Sequence, residues 1–147
     1  MSADEVILGK LHHLRESCTF LREVQPTPLA RFREDRMLRL AVERALQEAI
    51  EACLDIARRV LIMSGQPLPD TNRELFSALA GLGILRGEGV QRFADMAGFR
   101  NVLVHEYDRI DLRVVHQVLR HRLGDLERFG RAILSFVEEG GAPPPPR

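Results

Sequence analysis

The amino-acid sequence predicts an all-α fold. Apolar residues recur at three- and four-residue spacings over long stretches, which is the period of an amphipathic helix. No stretch shows the apolar and polar alternation, bounded by hairpin turns, that is typical of strands. The chain has 147 residues, of which 45% are hydrophobic, as expected for one domain with its own core. We therefore expect an antiparallel bundle of about five helices over residues 1–139, followed by a disordered Gly/Pro-rich tail over residues 140–147.

Two long helices are predicted in the first half of the chain. The first begins near Asp4 and ends before Pro26, because proline cannot continue a helix interior. The second runs from about Asp35 to Ser64, and the charged segment that starts at Arg31 is either a loop or its first turn. The residues expected to face the core are Ile7, Leu11, Leu14, Cys18 and Leu21 in the first helix, and Leu38, Val42, Ala45, Ala49, Cys53, Ile56 or Ala57, and Val60 in the second.

In the second half of the chain, the sequence predicts one short helix and two longer ones. The loop after the second helix ends in Thr71 and Asn72, either of which can cap the short third helix. A fourth helix is expected over residues 90–105, and Asp108 and Asp111 are both candidate caps for the last long helix. The glycines between the third and fourth helices match neither a P-loop nor a dinucleotide-binding fingerprint, so we interpret them as turn residues; they are Gly81, Gly83, Gly87 and Gly89.

The composition and the N-terminal sequence limit the classes of function that are expected for this chain. Lys and Arg together number 21, as do Asp and Glu, so net charge offers no general attraction for nucleic acid or an acidic membrane. Any RNA binding must be local, and residues 109–131 provide a candidate surface with six Arg against three acids. The chain lacks a secretory signal pattern and any apolar run near the ~20 residues that span a bilayer. We expect a cytoplasmic protein with no membrane partner.

No metal or cofactor is predicted. Cys18 and Cys53 are isolated on apolar helix faces, which indicates reduced core thiols rather than a disulfide or a metal knuckle. His12 and His13 diverge by about 100° on a helix and cannot hold a metal together without other ligands.

The segment from Arg100 to Tyr107, RNVLVHEY, concentrates the reactive chemistry. On an unbroken helix Arg100 and Tyr107 share a face, whereas His105 points away from both. The three side chains can converge if the helix ends near His105. The alternative is structural: an Arg and a His that cap carbonyls at a helix C-terminus, with Tyr107 packed at a loop.

Arginine and histidine together suit a phosphodiester. The Arg100 guanidinium can pair with phosphate oxygens and stays charged at any working pH, and His105 can accept and donate protons near neutrality. RNA can be cut without a metal, because its 2′-hydroxyl attacks the adjacent phosphate if a base, an acid and a cation are provided. One chain supplies one such histidine, so two copies about a two-fold axis would supply both proton-transfer groups.

The arrangement Arg100, four residues, His105, one residue, Tyr107 resembles the signature of the HEPN superfamily, and specifically its HepT-like branch. The likeness extends over about residues 5–137 and includes the segments AVERALQEAIEACLDIARRVL, ELFSALAGLGIL and IDLRVVHQVL. The resemblance implies a homodimeric, metal-independent ribonuclease toxin that cleaves RNA, such as tRNA or mRNA.

The resemblance also implies a partner and roles for individual residues. Arg100 and His105 correspond to the RNA-cleaving centre, and Tyr107 corresponds to the acceptor of AMP groups from a minimal nucleotidyltransferase antitoxin of the MntA kind. Supporting roles are expected for Asn101, Arg44, Glu51 and Asp55. The alternative functions are a catalytically silent helical subunit of a nucleotidyltransferase complex and a plain helical interaction module.

Overall fold

The computed structural model describes residues 3–87, 89–105 and 109–140, and these residues form seven α-helices and no strand. The predicted all-α class is confirmed, but the expected number of about five helices was too low. The helices are α1 (Ala3–Val24), α2 (Leu29–Glu34), α3 (Arg36–Met63), α4 (Asn72–Gly81), α5 (Gly89–His105), α6 (Leu112–His121) and α7 (Leu123–Glu138).

The long helix α3 is the centre of the bundle and contacts each of the other six helices. Its apolar side chains are numerous enough to cover more than one face, so neighbours pack on several sides of it. Every predicted core position of α3 is buried except Leu38, which is half-buried. The predicted core positions of α1 are also buried, except Leu11, which is half-buried. This central helix is the element against which α5 is positioned.

Side-chain caps fix the helix starts that the sequence indicated. The Asp35 carboxylate accepts a hydrogen bond from the Leu38 N–H at 3.0 Å, and Thr71 Oγ1 accepts from Glu74 N–H at 3.3 Å. Asp111 caps α6 by accepting from the Arg113 N–H at 2.9 Å. Of the two pairs of candidate caps, Thr71 and Asp111 are therefore observed in this role; Asp108 lies outside the described residues.

Two elements differ from the sequence prediction. The segment before α3 forms the separate six-residue helix α2, which buries Phe32 against the His116 ring with ring centroids 5.4 Å apart. His116 Nε2 also lies 2.8 Å from the Thr27 carbonyl oxygen. The predicted last helix is two helices, because the chain departs from helical geometry at Arg122. Neither helix break, at Asp35 or at Arg122, falls at a proline. Both coincide with contacts between segments that are distant in sequence.

Three phenylalanines fix α5 within the bundle. The Phe93 ring of α5 lies 5.6 Å from the Phe76 ring of α4 and 5.5 Å from the Phe129 ring of α7, centroid to centroid. Phe76 and Phe129 are themselves 6.0 Å apart and nearly perpendicular. Tilted and stacked rings at these separations add to the stabilisation from burial. The N-terminal half of α5 is thus packed against both α4 and α7 before the helix reaches Arg100.

The two cysteines are free and buried, as predicted. Burial raises the pKa of the Cys18 thiol to about 11, reinforced by Glu127 and opposed by Arg22, and burial also raises the pKa of Cys53. Both thiols therefore stay protonated and belong to the core. In the described part of the chain, no helix is long and apolar enough to cross a membrane.

Candidate active site

Arg100 occupies a core-facing position of α5. It follows Phe93 by seven residues and Met96 by four, and it precedes Leu103 by three, which are the spacings of one helix face. Phe93, Met96 and Leu103 are all buried. A charged residue in such a register is costly unless a partner compensates it. The position therefore calls for a carboxylate, and α3 supplies one.

Glu51 of α3 is the partner of Arg100. Glu51 Oε1 accepts hydrogen bonds from Arg100 Nη2 at 3.0 Å and Arg100 Nε at 3.2 Å. The same oxygen accepts from Gln47 Nε2 at 3.2 Å, and Asn101 Oδ1 accepts from Arg100 Nη1 at 3.4 Å. The Arg100 side chain is 25% exposed and that of Glu51 is 36% exposed. Glu51 thus fixes the guanidinium on its core-facing side, while part of it faces solvent, as a phosphate-binding group requires.

His105 is the last residue of α5 and is exposed. The predicted helix over residues 90–105 is confirmed. Five residues of helix separate it from Arg100 by about 7.5 Å along the axis and about 140° around it. Arg100 faces α3, so His105 leaves α5 on another side. A single chain therefore presents the cation and the proton-transfer group in different directions.

The four predicted supporting residues divide into two pairs. Glu51 and Asn101 contact Arg100 directly. Arg44 instead donates to Glu48 Oε1 at 2.9 Å, one turn along α3. Asp55 accepts from Lys10 Nζ at 3.2 Å and from Arg58 Nη1 at 3.0 Å. The last two therefore extend the charged face of α3 on either side of Glu51 without hydrogen-bonding to Arg100.

Tyr107, the predicted AMP acceptor, lies outside the described residues, as do its neighbours Glu106 and Asp108. The chain is described again from Arg109, two residues before the Asp111 cap of α6. Tyr107 is the only tyrosine of the chain and follows the end of α5 by two residues. Among the described residues, no group of three or more His, Cys, Asp or Glu side chains is placed to hold a metal ion.

A second charged cluster, which the sequence analysis did not identify, surrounds Asp125. This carboxylate is 1% exposed and pairs with Arg92 Nε at 2.8 Å, with Arg122 Nε at 2.7 Å and with Arg128. Burial by itself would raise the pKa of Asp125, but the hydrogen bonds and charges of Arg122 and Arg92 outweigh it and lower the pKa. The available sequence signal was register, since Asp125 precedes the buried Phe129 by one helical turn.

An open groove of about 780 Å³ runs between α1 and α7, away from the motif residues. Its floor is largely apolar, and its rim is charged. Neither Arg100 nor His105 lines it. The candidate active site is therefore the polar surface around Arg100 and Glu51 rather than this groove. The apolar part of the groove is formed by Leu8, Leu11, Leu14, Cys18, Leu126 and Leu134.

Comparison with known proteins assigns this chain to a family. The family described as ribonuclease HepT-like matches residues 14–133, which include α3, α5, Arg100 and His105. This chain belongs to the ribonuclease HepT-like family. The predicted resemblance is confirmed, and so is the HEPN-like bundle. The matched region covers the site and nearly all of the core around it.

Characterised relatives carry nuclease names. The chain is 28% identical over 126 residues to the mRNA nuclease HepT of Shewanella oneidensis, covering 86% of this chain and 94% of that protein. It is 35% identical over 98 residues to the tRNA nuclease HepT of Aphanizomenon flos-aquae, covering 67% of each. The solved structure of a tri-AMPylated Shewanella oneidensis HEPN toxin in complex with an MNT antitoxin superimposes with a TM-score of 0.81 at 27% identity. That match covers 92% of this chain and 99% of the toxin.

Proposed function

We propose that this protein is the toxin of a toxin–antitoxin pair and acts as a metal-independent endoribonuclease through Arg100 and His105. The observation that carries the proposal is the partly exposed Arg100, held by Glu51 on the core-facing side of α5. Membership of the ribonuclease HepT-like family supports it, as do the HepT nucleases among its relatives. The cytoplasm contains RNA and keeps thiols such as the two free cysteines reduced. We therefore place the activity there.

The chemistry is transesterification within the RNA strand. The 2′-hydroxyl oxygen bonds to the adjacent phosphorus as the bond from phosphorus to the departing 5′-oxygen breaks. One imidazole accepts the proton of the 2′-hydroxyl, and another proton-transfer group protonates the 5′-oxygen. The Arg100 guanidinium binds the phosphate oxygens and stabilises the negative charge that builds on them. The products are a 2′,3′-cyclic phosphate and a free 5′-hydroxyl.

A homodimer completes this centre. One chain supplies a single motif histidine, and that histidine leaves α5 about 140° away from Arg100. A two-fold axis beside the motif would bring Arg100 and His105 of one copy towards those of the other. Two imidazoles then serve as base and acid, and two guanidiniums share the phosphate charge.

Tyr107 is the proposed site of control. We propose that a cognate nucleotidyltransferase of the MntA kind transfers AMP from ATP to the Tyr107 hydroxyl, with release of pyrophosphate. The solved neighbour is an AMPylated toxin bound to its antitoxin. An adenylyl group two residues from His105 would bring negative charge towards Arg100 and occupy space needed by an RNA phosphate. Modification would therefore inhibit cleavage by charge and by bulk.

The nuclease is tested with purified protein, verified by mass to be unmodified, incubated with total cellular RNA in EDTA. We expect cleavage that leaves cyclic phosphates and that is lost in His105→Ala. The matched control is His121→Ala, which removes another exposed histidine at a helix C-terminus. Intact RNA with several RNA classes, or equal cleavage by His105→Ala, would contradict the proposal and favour a catalytically silent binding subunit.

The control mechanism is tested by incubating the toxin with its partner nucleotidyltransferase and ATP. We expect the mass to rise by one or more adenylyl groups and cleavage to stop. Tyr107→Phe should show neither change while keeping its nuclease activity. Because the chain has one tyrosine, adenylylation of Tyr107→Phe would exclude tyrosine as the acceptor.

A further inference from the structure

The structure gathers part of the positive charge of segment 109–131 at one place. Two of the three acids in this segment are paired elsewhere: Asp111 binds the nearby Arg113, and Glu127 binds an arginine of α1. The third acid, Asp125, binds one arginine of α5 and two of its own segment. We call this group the Asp125 cluster: Asp125, Arg92, Arg122 and Arg128.

The Asp125 cluster has a surplus of positive charge. The pKa of Asp125 is lowered, so its carboxylate stays ionised near neutral pH and offsets one of the three guanidiniums. Asp95 lies beside the cluster, with its Oδ2 4.0 Å from Arg122 Nη2, but its Oδ1 is 3.7 Å from Arg73 Nη2. Including both neighbours leaves a surplus of two charges, because four arginines then face two carboxylates. The cluster therefore attracts an anion from outside the chain.

The guanidiniums of the cluster are partly exposed, although the carboxylate that holds them is buried. The side chains of Arg128, Arg92 and Arg122 are 51%, 43% and 28% exposed, whereas their shared carboxylate is 1% exposed. Within the described part of the chain, the hydrogen bond of Arg128 to Asp125 uses Nη2, which leaves Nε and Nη1 as donors for a ligand. An anion can therefore bind on the outer side of the cluster while Asp125 keeps its partners.

Guanidiniums fixed from one side are suited to phosphate oxygens, which they bind in a defined geometry. The cluster also lies near the candidate active site. Arg92 precedes Arg100 by about 12 Å along α5 and by about 80° around it. A stacked nucleic-acid strand rises about 3.4 Å per nucleotide, so this distance corresponds to a few nucleotides.

We propose that Arg92, Arg122 and Arg128 bind a backbone phosphate of the RNA substrate, a few nucleotides from the phosphate held at Arg100. The inference rests on the proposed function, which supplies the RNA, and it adds a second contact that fixes the register of the strand. A backbone contact carries no base specificity of its own. Because this phosphate does not react, it is bound equally in the ground state and the transition state, and the contact acts on Kd and KM.

The first test measures binding of a fluorescein-labelled single-stranded oligouridylate by anisotropy, with His105→Ala in every protein so that the RNA stays intact. Adding Arg128→Gln should raise Kd about tenfold, at the low end for hydrogen bonds to a charged group. The slope of log Kd against log salt concentration should fall by about 0.7, the value for one phosphate of a single strand. Arg131→Gln, an exposed change on the same helix, is the matched charge control and should change neither quantity.

Folding of the variants is verified by thermal unfolding. Arg128 is about half exposed, and its replacement leaves Arg92 and Arg122 on Asp125, so Arg128→Gln should fold. Arg128→Lys keeps the charge and should keep most of the salt slope. If Arg128→Gln does not fold, Arg92→Gln repeats the measurement at a second member of the cluster, with the same expected loss.

The second test identifies the group that the cluster contacts. In an RNA cleaved by the wild-type protein, single linkages are replaced in turn by an uncharged methylphosphonate, and KM is measured for each substrate. One linkage a few nucleotides from the cleaved one should raise KM about as much as Arg128→Gln does. The two changes together should have no more effect than either alone, because both remove the same contact. Additive effects at every linkage would overturn the direct contact.

Failure of this inference is distinguishable from failure of the proposed nuclease. Equal Kd and salt slope for Arg128→Gln and Arg131→Gln would overturn the inference, and His105-dependent cleavage would still leave the nuclease intact. Binding that depends on Arg128 in a protein that cuts no RNA would support the RNA contact and overturn the nuclease. A wild-type protein that neither binds nor cuts RNA would overturn both.

Discussion

The two ends of α5 each carry an arginine paired to a carboxylate, and the two pairs differ in depth. Arg92, near the start of α5, binds Asp125, which is 1% exposed and which also binds Arg122 and Arg128. Arg100, eight residues later, binds Glu51, which is 36% exposed and has no second arginine among its described partners. The first carboxylate is enclosed by cations, and the second is open to solvent together with its cation.

The difference in exposure separates a structural cluster around Asp125 from the proposed reactive pair of Arg100 and Glu51. A buried carboxylate satisfied by three guanidiniums joins α5 to α7 and cannot exchange its partners without opening the fold. The Arg100 pair has one carboxylate behind the guanidinium and solvent in front of it, so a phosphate can bind without breaking the core. Removing Arg100 should therefore affect activity, whereas removing Asp125 should affect stability.

The largest expected effect is on catalysis. Arg100→Ala should lower kcat for RNA cleavage about 10²- to 10³-fold, the usual loss when one stabilising group is removed from a developing anion. Arg100→Lys should recover only part of this, because an ammonium cannot reproduce the fork geometry. Single-turnover kinetics on a cleaved RNA measure both. Arg59→Ala, an exposed α3 change, is the control, and an active Arg100→Ala would remove Arg100 from the mechanism.

The next effect is on stability. Asp125→Ala should lower the free energy of unfolding by about 3 kcal/mol, near the lower end for breaking a buried pair because the three arginines reach solvent. Asp125→Asn keeps an acceptor oxygen and should cost less. Urea unfolding measures the change. Under conditions where both variants are folded, kcat should match the wild type, and a selective loss of kcat would assign Asp125 to the active site instead.

A smaller effect is expected at Glu51, which positions Arg100 without touching RNA. Glu51→Ala should lower kcat about tenfold with little change in KM, because the guanidinium loses its fixed orientation. Glu51→Gln keeps an acceptor for Arg100 and should restore most of the rate. Glu16→Ala, at an exposed position of α1, is the matched control. A Glu51→Ala protein with unchanged kcat would show that Arg100 is oriented by other groups.

The sequence predicted most of the fold because α1, α3 and α5 carry apolar residues at helical spacings and because α3, α4 and α6 begin at side-chain caps. It failed where tertiary contacts decide. The helix α2 is six residues long and buries one side chain, Phe32, too little for periodicity to detect. The break at Arg122 interrupts an apolar stripe that continues unchanged from α6 into α7, and it coincides with the buried Asp125 cluster.

The contacts around the candidate site were predictable in part. The motif drew attention to Arg100 and His105, and the family resemblance suggested Arg44, Glu51 and Asp55 as supporting residues. Of these three, Glu51 contacts Arg100, since a cation on a core-facing position needs a carboxylate from a neighbouring helix. Which carboxylate of α3 meets Arg100 depends on how α5 crosses α3, and single-chain periodicity does not define that crossing. Asp55, one turn from Glu51, was an equally reasonable candidate on spacing, but its hydrogen bonds go to Lys10 and Arg58.

The smallest predicted effect is a pH dependence that belongs to the enclosed carboxylate. Arg122 and Arg92 hold the pKa of Asp125 below its ordinary value of 3.8, so the unfolded chain binds a proton at a higher pH than the folded chain does. The stabilisation is therefore complete above 3.8 and is lost as pH falls through the lower folded pKa. In urea unfolding between about pH 5 and about pH 2, Asp125→Asn should lose less stability on acidification than the wild type. Asp70→Asn, in an exposed loop, should follow the wild type, and equal acid slopes for all three proteins would mean that the Asp125 cluster does not control acid stability.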